Sequence, residues 1–400
     1  MTTTKKTWLA LLLAAACTAL QAQAPATVRI GVLSDMSGPF SGWSGKGSAL
    51  AAEMAVEDFK RTRPGFPYRI ELQSADFQLK PDLAVTIARK WVFDGVNAIV
   101  DVPHSTSALA VNGALRGSNA AFLITGAQHD DLTTKECSAN SVHWTFDTAS
   151  LVRPAVSTLA RGGHNSWFFV TVDFAGGKSM EEYSRAVLAE NGGQAVGGVR
   201  TPLGAPDFSS FLLQAQASKA KVVALIQGGS DAVNAMKQAD EFGLPKGQKL
   251  VVPFLQLTDV QGMGLALAQG LTFTEAFYWD ADEGKRAFAR RFAARFGGRM
   301  PTAVQAGAYS AVQHYLGAVE AARSTNGPTV VAKMKELPVT DAAFAPGRVR
   351  ADGRMVHDMF LVEVKAPAES KADWDLYKVV KRIKAEDAFR PMSRDCALVR

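Results

Sequence analysis

Three short segments carry residues able to hold a small charged molecule. Ser34-Asp35-Met36-Ser37-Gly38-Pro39 is followed by Trp43, and further on come His104-Ser105-Thr106-Ser107 and Gly126-Ala127-Gln128-His129. Each comes directly after a short apolar run, where a strand ends and a loop leads on towards a helix. Backbone N–H groups at a helix N-terminus lack intrahelical partners and sit at the positive end of the helix dipole. With a hydroxyl beside them they hold an anion. A carboxylate is the simplest such ligand. The hydroxyls of Ser105 and Ser107 equally suit plain helix capping, and the residues alone leave both roles open.

Catalytic and metal chemistry find less support. Gly177-Lys178-Ser179 resembles the end of a phosphate-binding loop, but the glycine required upstream is Val172. Gly42, Gly45 and Gly47 miss the dinucleotide spacing, and Ser44 has Gly42 before it but Lys46 after it, so the nucleophile elbow fails as well. The six histidines (His104, His129, His143, His164, His314 and His357) show no i, i+3 or i, i+4 spacing. His129-Asp130-Asp131 reads as a solvated turn rather than a chelate. No metal, cofactor or enzymatic activity is expected.

The elements that position these loops alternate regularly. Val28–Leu33, Tyr68–Leu72, Ala98–Val102 and Ala121–Thr125 read as strands, separated by helical patterns such as Ala52, Val56, Phe59 and Leu83, Ile87, Trp91. The alternation then restarts. Strands are expected at Trp167–Val172, Val196–Val199, Val222–Ile226 and Leu250–Phe254, with helices at Ser150–Ala160, Met180–Asn191, Phe208–Ser218 and Ala232–Phe242. Beyond Tyr278-Trp279 the chain turns mostly helical (Lys285–Phe296, Ala303–Ala322, Thr329–Leu337) and finishes with strands at Met359–Val364 and Tyr377–Ile383. Short strands alternating with helices predict α/β architecture, here two doubly wound parallel-sheet units.

Composition agrees with a folded chain of this size: 47% of the 400 residues are apolar and 20% are charged. After the N-terminus no apolar run nears the ~20 residues that span a bilayer. The net charge of +6 is scattered, and without a basic stripe no nucleic-acid partner is expected. Lys5-Lys6, the apolar run Trp8–Cys17 and Ala22-Gln23-Ala24 together form a secretory signal over residues 1–24. Lipid attachment at Cys17, after Ala14-Ala15-Ala16, is the alternative. Export leaves Cys137 and Cys396, and two cysteines in an oxidising compartment allow one pairing.

The stretch from Val28 through Ser37-Gly38-Pro39, then Asp94-Gly95, Ser105-Thr106-Ser107 and Ile124-Thr125-Gly126-Ala127, resembles type I periplasmic solute-binding proteins. Within these it is most similar to the branched-chain amino acid (leucine-binding) receptors that feed ABC importers, with a similar order of elements over 27–385. The resemblance implies two lobes, 27–146 with 279–347 and 148–277 with 349–385, and a C-terminal tail at 386–400. Three crossovers would lie near 146–148, 277–279 and 347–349. The ligand would sit in the cleft, its carboxylate held by Ser105 and the backbone at Ala127, with Ser107 beside them and Trp43 as an aromatic wall.

Amino-acid-binding members place a hydroxyl where this chain has His129, tyrosines where it has Gly176 and Gly228, and an acid near Leu255-Gln256. The two glycines therefore imply free space for a ring, with Phe277 or Tyr278 near the second crossover. Gln256 offers no countercharge for an ammonium, and His129 could add a positive donor. The expected ligand is a small carboxylate with an apolar or aromatic body, captured by a monomer and passed to an inner-membrane permease. An amino acid ligand, ligand sensing without transport, and an exported hydrolase are the alternatives. Sequencing the exported protein should give Pro25 as its first residue; a retained Met1 or a lipid on Cys17 would contradict the signal assignment.

Overall fold

The computed structural model describes residues 26–399. The export segment at 1–24, including Cys17, lies outside them. Two parallel sheets organise the chain. The first runs β2 (Arg69–Asp76), β1 (Thr27–Ser34), β3 (Ala98–Asp101), β4 (Ala121–Ile124), β5 (Ser141–His143) in spatial order. The second runs β7 (Gln194–Thr201), β6 (Ser166–Val172), β8 (Val222–Ile226), β9 (Lys249–Val251). Every residue of β3, β4 and β8 is buried, as strands covered by helices on both faces require. The chain has the type I periplasmic binding protein fold, in which each sheet forms the centre of one lobe. Strand β9 stops at Val251 instead of reaching Phe254, since Pro253 has no N–H for a ladder.

Four further short strands lack the continuous apolar run that marks β3 and β4 and carry no sequence signal. In the second lobe, β10 (Thr272–Glu275) and β15 (Tyr377–Ile383) flank β14 (Met359–Val364) in an antiparallel sheet. β11 (Pro338–Val339), β12 (Gly347–Val349) and β13 (Met355–His357) form another. Arg354, just before β13, bridges to His143 of β5, which fastens this small sheet to the first lobe. The third passage between lobes therefore lies at 357–359, between β13 and β14, and not at 347–349. The tight turn after β12, in which the Gly353 N–H donates to the Arg350 carbonyl at 3.0 Å, returns the chain to the same sheet. Nothing periodic marks that turn in the sequence.

The first lobe's cleft loops converge on Asp101 at the end of β3. Its Oδ2 accepts from Ser34 Oγ at the end of β1 (2.7 Å) and from Ser44 Oγ just before the helix Gly45–Thr62 (2.8 Å). Its Oδ1 accepts from Thr125 Oγ1 after β4 (3.1 Å), and Ser34 Oγ in turn accepts from the Gly45 N–H (2.7 Å). Asp101 and Val102 have φ of 88° and 56°, a left-handed turn that non-glycine residues adopt at a cost and that this network holds in place.

At the other end of the chain the tail packs back on the first lobe. Phe389 lies against the buried Arg354 guanidinium at 4.8 Å, and Arg390 pairs with Asp130 at 3.0 Å. Cys396 is bonded to Cys137, with their Cα atoms 5.6 Å apart.

Asp101→Ala would leave three buried hydroxyls short of an acceptor, and it should cost about 2–4 kcal/mol in chemical denaturation. A loss below ~1 kcal/mol would show that the network contributes little. Peptide mapping of the exported protein without reduction should recover Cys137 linked to Cys396, and two free thiols would contradict the pairing.

Candidate functional site: the interlobe cleft

The loops after the parallel strands of both lobes face one another, as expected for ligand crevices of open α/β sheets. They close on a narrow cavity of about 20 Å³. Phe40, Trp43, Pro103 and Gln128 line it from the first lobe. Val172, Phe174, Gly177, Met180, Leu203, Ile226, Gln227, Gly228, Asp231 and Phe254 line it from the second. The lobes touch across it: the Ala175 N–H donates to Thr106 Oγ1 at 3.2 Å, and the Ser230 N–H to the Pro39 carbonyl at 3.1 Å.

The aromatic wall is held from behind. Asp35 accepts the Gly38 and Phe40 N–H groups at 2.7 and 2.8 Å, which fixes the loop after β1. The helix Ala303–Ala322 begins with a reciprocal cap between Thr302 and Gln305. From that cap Thr302 Oγ1 donates to the Trp43 carbonyl (2.6 Å), and Gln305 Nε2 donates to the carbonyls of Gly42 and Ser44 (3.3 Å each). Trp43 meets Phe40 edge-on at 4.8 Å and Phe254 at 4.6 Å, while Phe174 lies 4.8 Å from the His104 ring. Burial pushes the His104 imidazole down to about 4, so the ring facing Phe174 is neutral near pH 7.

Two polar side chains of the second lobe reach the cavity. Gln227 Nε2 donates to the Val170 carbonyl (3.1 Å) and to Thr201 Oγ1 (3.0 Å). Asp231 accepts the Gly204 N–H at 2.7 Å; burial pushes its carboxyl up to about 6, against the pull of backbone donors at Gly204 and Ala205. The lobe therefore does present an acid, which corrects the expectation drawn from Gln256 alone.

The sequence-derived residues divide into two groups. Trp43 and Gly228 line the cavity, and a Cβ on Gly228 would meet Trp43 Cη2 at 3.4 Å. Ser105 sits one layer behind, donating to Gln128 Oε1 at 3.0 Å. Gly176 leaves no vacant space: a Cβ there would lie 2.6 Å from both Gln128 Nε2 and Phe174 Cε2 and 2.8 Å from Ser105 Oγ. Its missing side chain lets the lobes approach instead of making room for a ring.

The remaining five lie outside the lining. Ser107 Oγ is 2.9 Å from His104 Nδ1, and the Ala127 carbonyl accepts from His143 Nε2 at 2.7 Å. His129 caps the turn Asp130–Thr133, its Nδ1 accepting the Asp131 N–H at 3.2 Å, and burial pushes its pKa down. A ring nitrogen that accepts from backbone is not the positive donor expected there. Gln256 opens the helix Leu257–Met263, its own N–H held by Asp259 at 3.0 Å. Tyr278 stacks on Tyr377 at 5.0 Å within the second lobe's core, because the crossover turns its ring towards β15. Phe40, Phe174 and Phe254 were missed, although each lies within a few residues of a strand end, where cleft residues concentrate.

Comparisons with known proteins agree with this fold. The family described as periplasmic binding protein matches residues 27–372. A periplasmic binding protein from Burkholderia mallei is 40% identical, with a TM-score of 0.89 over 94% of this chain and 100% of that one. A branched-chain amino acid ABC transporter periplasmic ligand-binding protein from Burkholderia xenovorans is 42% identical, with a TM-score of 0.79 over 91% and 97%. Leu/Ile/Val-binding protein homolog 6 of Brucella melitensis is 26% identical over 65% of this chain and 67% of its own length. The fold alone is shared with an ABC transporter solute-binding protein from Rhodopseudomonas palustris in complex with 4-hydroxybenzoate, at 20% identity and a TM-score of 0.79 over 91% and 98%. With two lobes closing on an aromatic cleft and a family match over most of its length, the chain belongs to the type I periplasmic binding proteins of ABC transporters, in the branched-chain amino acid receptor family.

Proposed function

We propose that this chain is exported through residues 1–24 and works in the periplasm as a monomer. There it captures a small carboxylate with an aromatic or apolar body and presents it to an inner-membrane ABC permease. One observation carries the reading: Phe40, Trp43, Phe174 and Phe254, two from each lobe, wall a single cavity. Rings contributed from both sides favour a flat apolar ligand body, since offset and edge-on aromatic contacts add to the gain from burial. The carboxylate is assigned to the first lobe, at the N-terminus of the helix Ser105–Leu115, where Ser105 holds Gln128 against the cavity. A micromolar ligand needs about −8 kcal/mol, within reach of one stacked ring and a few charge-assisted hydrogen bonds.

Capture proceeds by hinge closure. The first lobe receives the acid, the second covers it, and contacts such as Ala175 to Thr106 form as the cleft shuts. The Rhodopseudomonas palustris protein of the same fold, in complex with 4-hydroxybenzoate, supports an aromatic acid. An amino acid is the second reading. Asp231 in the lining favours it, because a carboxylate there could meet an α-ammonium, and the named relatives point the same way.

Benzoate or cinnamate derivatives should raise the melting temperature and leucine should not. Tight leucine binding in calorimetry with no response to any aromatic acid would select the second reading. Ser105→Ala, which removes the hydroxyl that holds Gln128, should weaken the acid by about 0.5–1.5 kcal/mol, the scale of a neutral hydrogen bond.

A further inference from the structure

No described residue of the C-terminal tail lines the cavity, yet a series of direct contacts leads from the tail to the aromatic wall. The Phe389 ring packs on two buried side chains at once, 4.8 Å from the Arg354 guanidinium and 5.3 Å from the His357 ring. These two hold consecutive carbonyls where the chain leads into the first crossover. Arg354 Nη1 donates to the Phe146 carbonyl at 2.8 Å, and His357 Nε2 donates to the Thr145 carbonyl at 2.6 Å. The Phe146 ring in turn meets Phe254 edge-on at 5.1 Å, and Phe254 meets Trp43 at 4.6 Å in the cavity wall.

Arg354 makes this series depend on the tail. Its guanidinium is fully buried, forms no ion pair among the described residues, and leaves Nη2 without a hydrogen-bond partner. Burial pulls its pKa down to about 10 against the attraction of Asp147, so its charge is held at a cost. The face of Phe389 supplies attraction that a carboxylate would otherwise give, and it keeps water from competing for the guanidinium N–H groups. Beyond this ring the tail is pinned: Arg350 Nη1 donates to the Arg390 carbonyl at 2.7 Å, Arg390 pairs with Asp130, and Cys396 is bonded to Cys137.

We propose that Phe389 is a positioning residue for the ligand cavity. It holds Arg354 on the Phe146 carbonyl, Arg354 holds Phe146 against Phe254, and the docked tail thereby sets how firmly the second-lobe wall meets Trp43. The element with two states is the first crossover. Arg354 fastens its start to the first lobe, through the bridge to His143, while Phe254 belongs to the second lobe. Loosening that start lets Phe254 withdraw and favours the open cleft, whatever ligand the cleft takes.

Hydrogen exchange read by mass spectrometry on the full mature chain tests this without a ligand. Phe389→Ala should raise exchange at least about fivefold in 144–148 and 252–256, the low end of a typical coupling between sites, and leave the helix Pro81–Phe93 unchanged. Phe389→Tyr, which keeps the ring face, should match the unaltered protein. If Phe389→Ala fails to fold, Phe389→Leu, which keeps the apolar bulk without the aromatic face, is read in the same way. A rise confined to 350–358 and 385–399, or one spread evenly over the molecule, gives Phe389 a merely structural role and overturns the proposal.

Discussion

Asp101 is fully buried, so water cannot solvate its carboxylate and donors from the protein must meet it instead. Those donors come from three places that are distant in sequence: the end of β1, the residue before the helix Gly45–Thr62, and the end of β4. Satisfying one carboxylate thus fixes the relative positions of the loops that carry Trp43 and Gln128. Burial pushes the Asp101 pKa up while the hydroxyls pull it back, a balance that rewards complete pairing. The left-handed turn at Asp101-Val102 is the geometric consequence, since the chain must fold back sharply to bring the carboxylate under all three loops.

The cleft itself depends on close approach more than on charge. Where a receptor with larger side chains would hold its lobes apart, Gly176 lets Phe174 reach the His104 ring and lets Gln128 and Ser105 come within van der Waals range of the opposing backbone. At the other wall a Cβ on Gly228 would make only ordinary contacts, at 3.4 Å from Trp43 and 3.6 Å from Phe254. What remains between them is a cavity lined by Phe40, Trp43, Phe174 and Phe254. The aromatic residues thus serve two purposes: they shape the space for a ligand, and their contacts with one another, such as Trp43 with Phe254, join the lobes.

The fold was legible where periodicity was long. The helix Ala303–Ala322 and the strands Met359–Val364 and Tyr377–Ile383 have the bounds read from the sequence, because each repeats its pattern over several turns or pleats. Strands β10 to β13 were not legible, and the third crossover was misplaced with them, since they lack the continuous apolar run that marked the equally short β3 and β4. For the site, strand ends pointed to the right loops but not to the right side chains. Gln128 faces the cavity while Ala127 and His129 on either side do not, a distinction set by backbone turns that the residue types leave open. Tyr278 and Trp43 look alike as aromatic residues near a lobe boundary. One is aimed at β15 and the other at the cleft, and it is the packing of the helix Ala303–Ala322 against the Trp43 loop that makes the difference.

The bond between Cys137 and Cys396 has a topological meaning beyond anchoring the tail. Cys137 lies in the first lobe before the first crossover, and Cys396 returns to that lobe after the chain has left β15 in the second. The 259 residues of separation therefore form a covalent ring that contains the whole second lobe and every crossover. The lobes are joined by four strands of chain rather than three, and the fourth runs beside the third, where Ala385 N–H donates to Asp358 at 3.0 Å. In the unfolded chain the ring removes conformations worth roughly 5 kcal/mol in the loop-entropy account, and the lobes stay tethered to each other even when neither is folded.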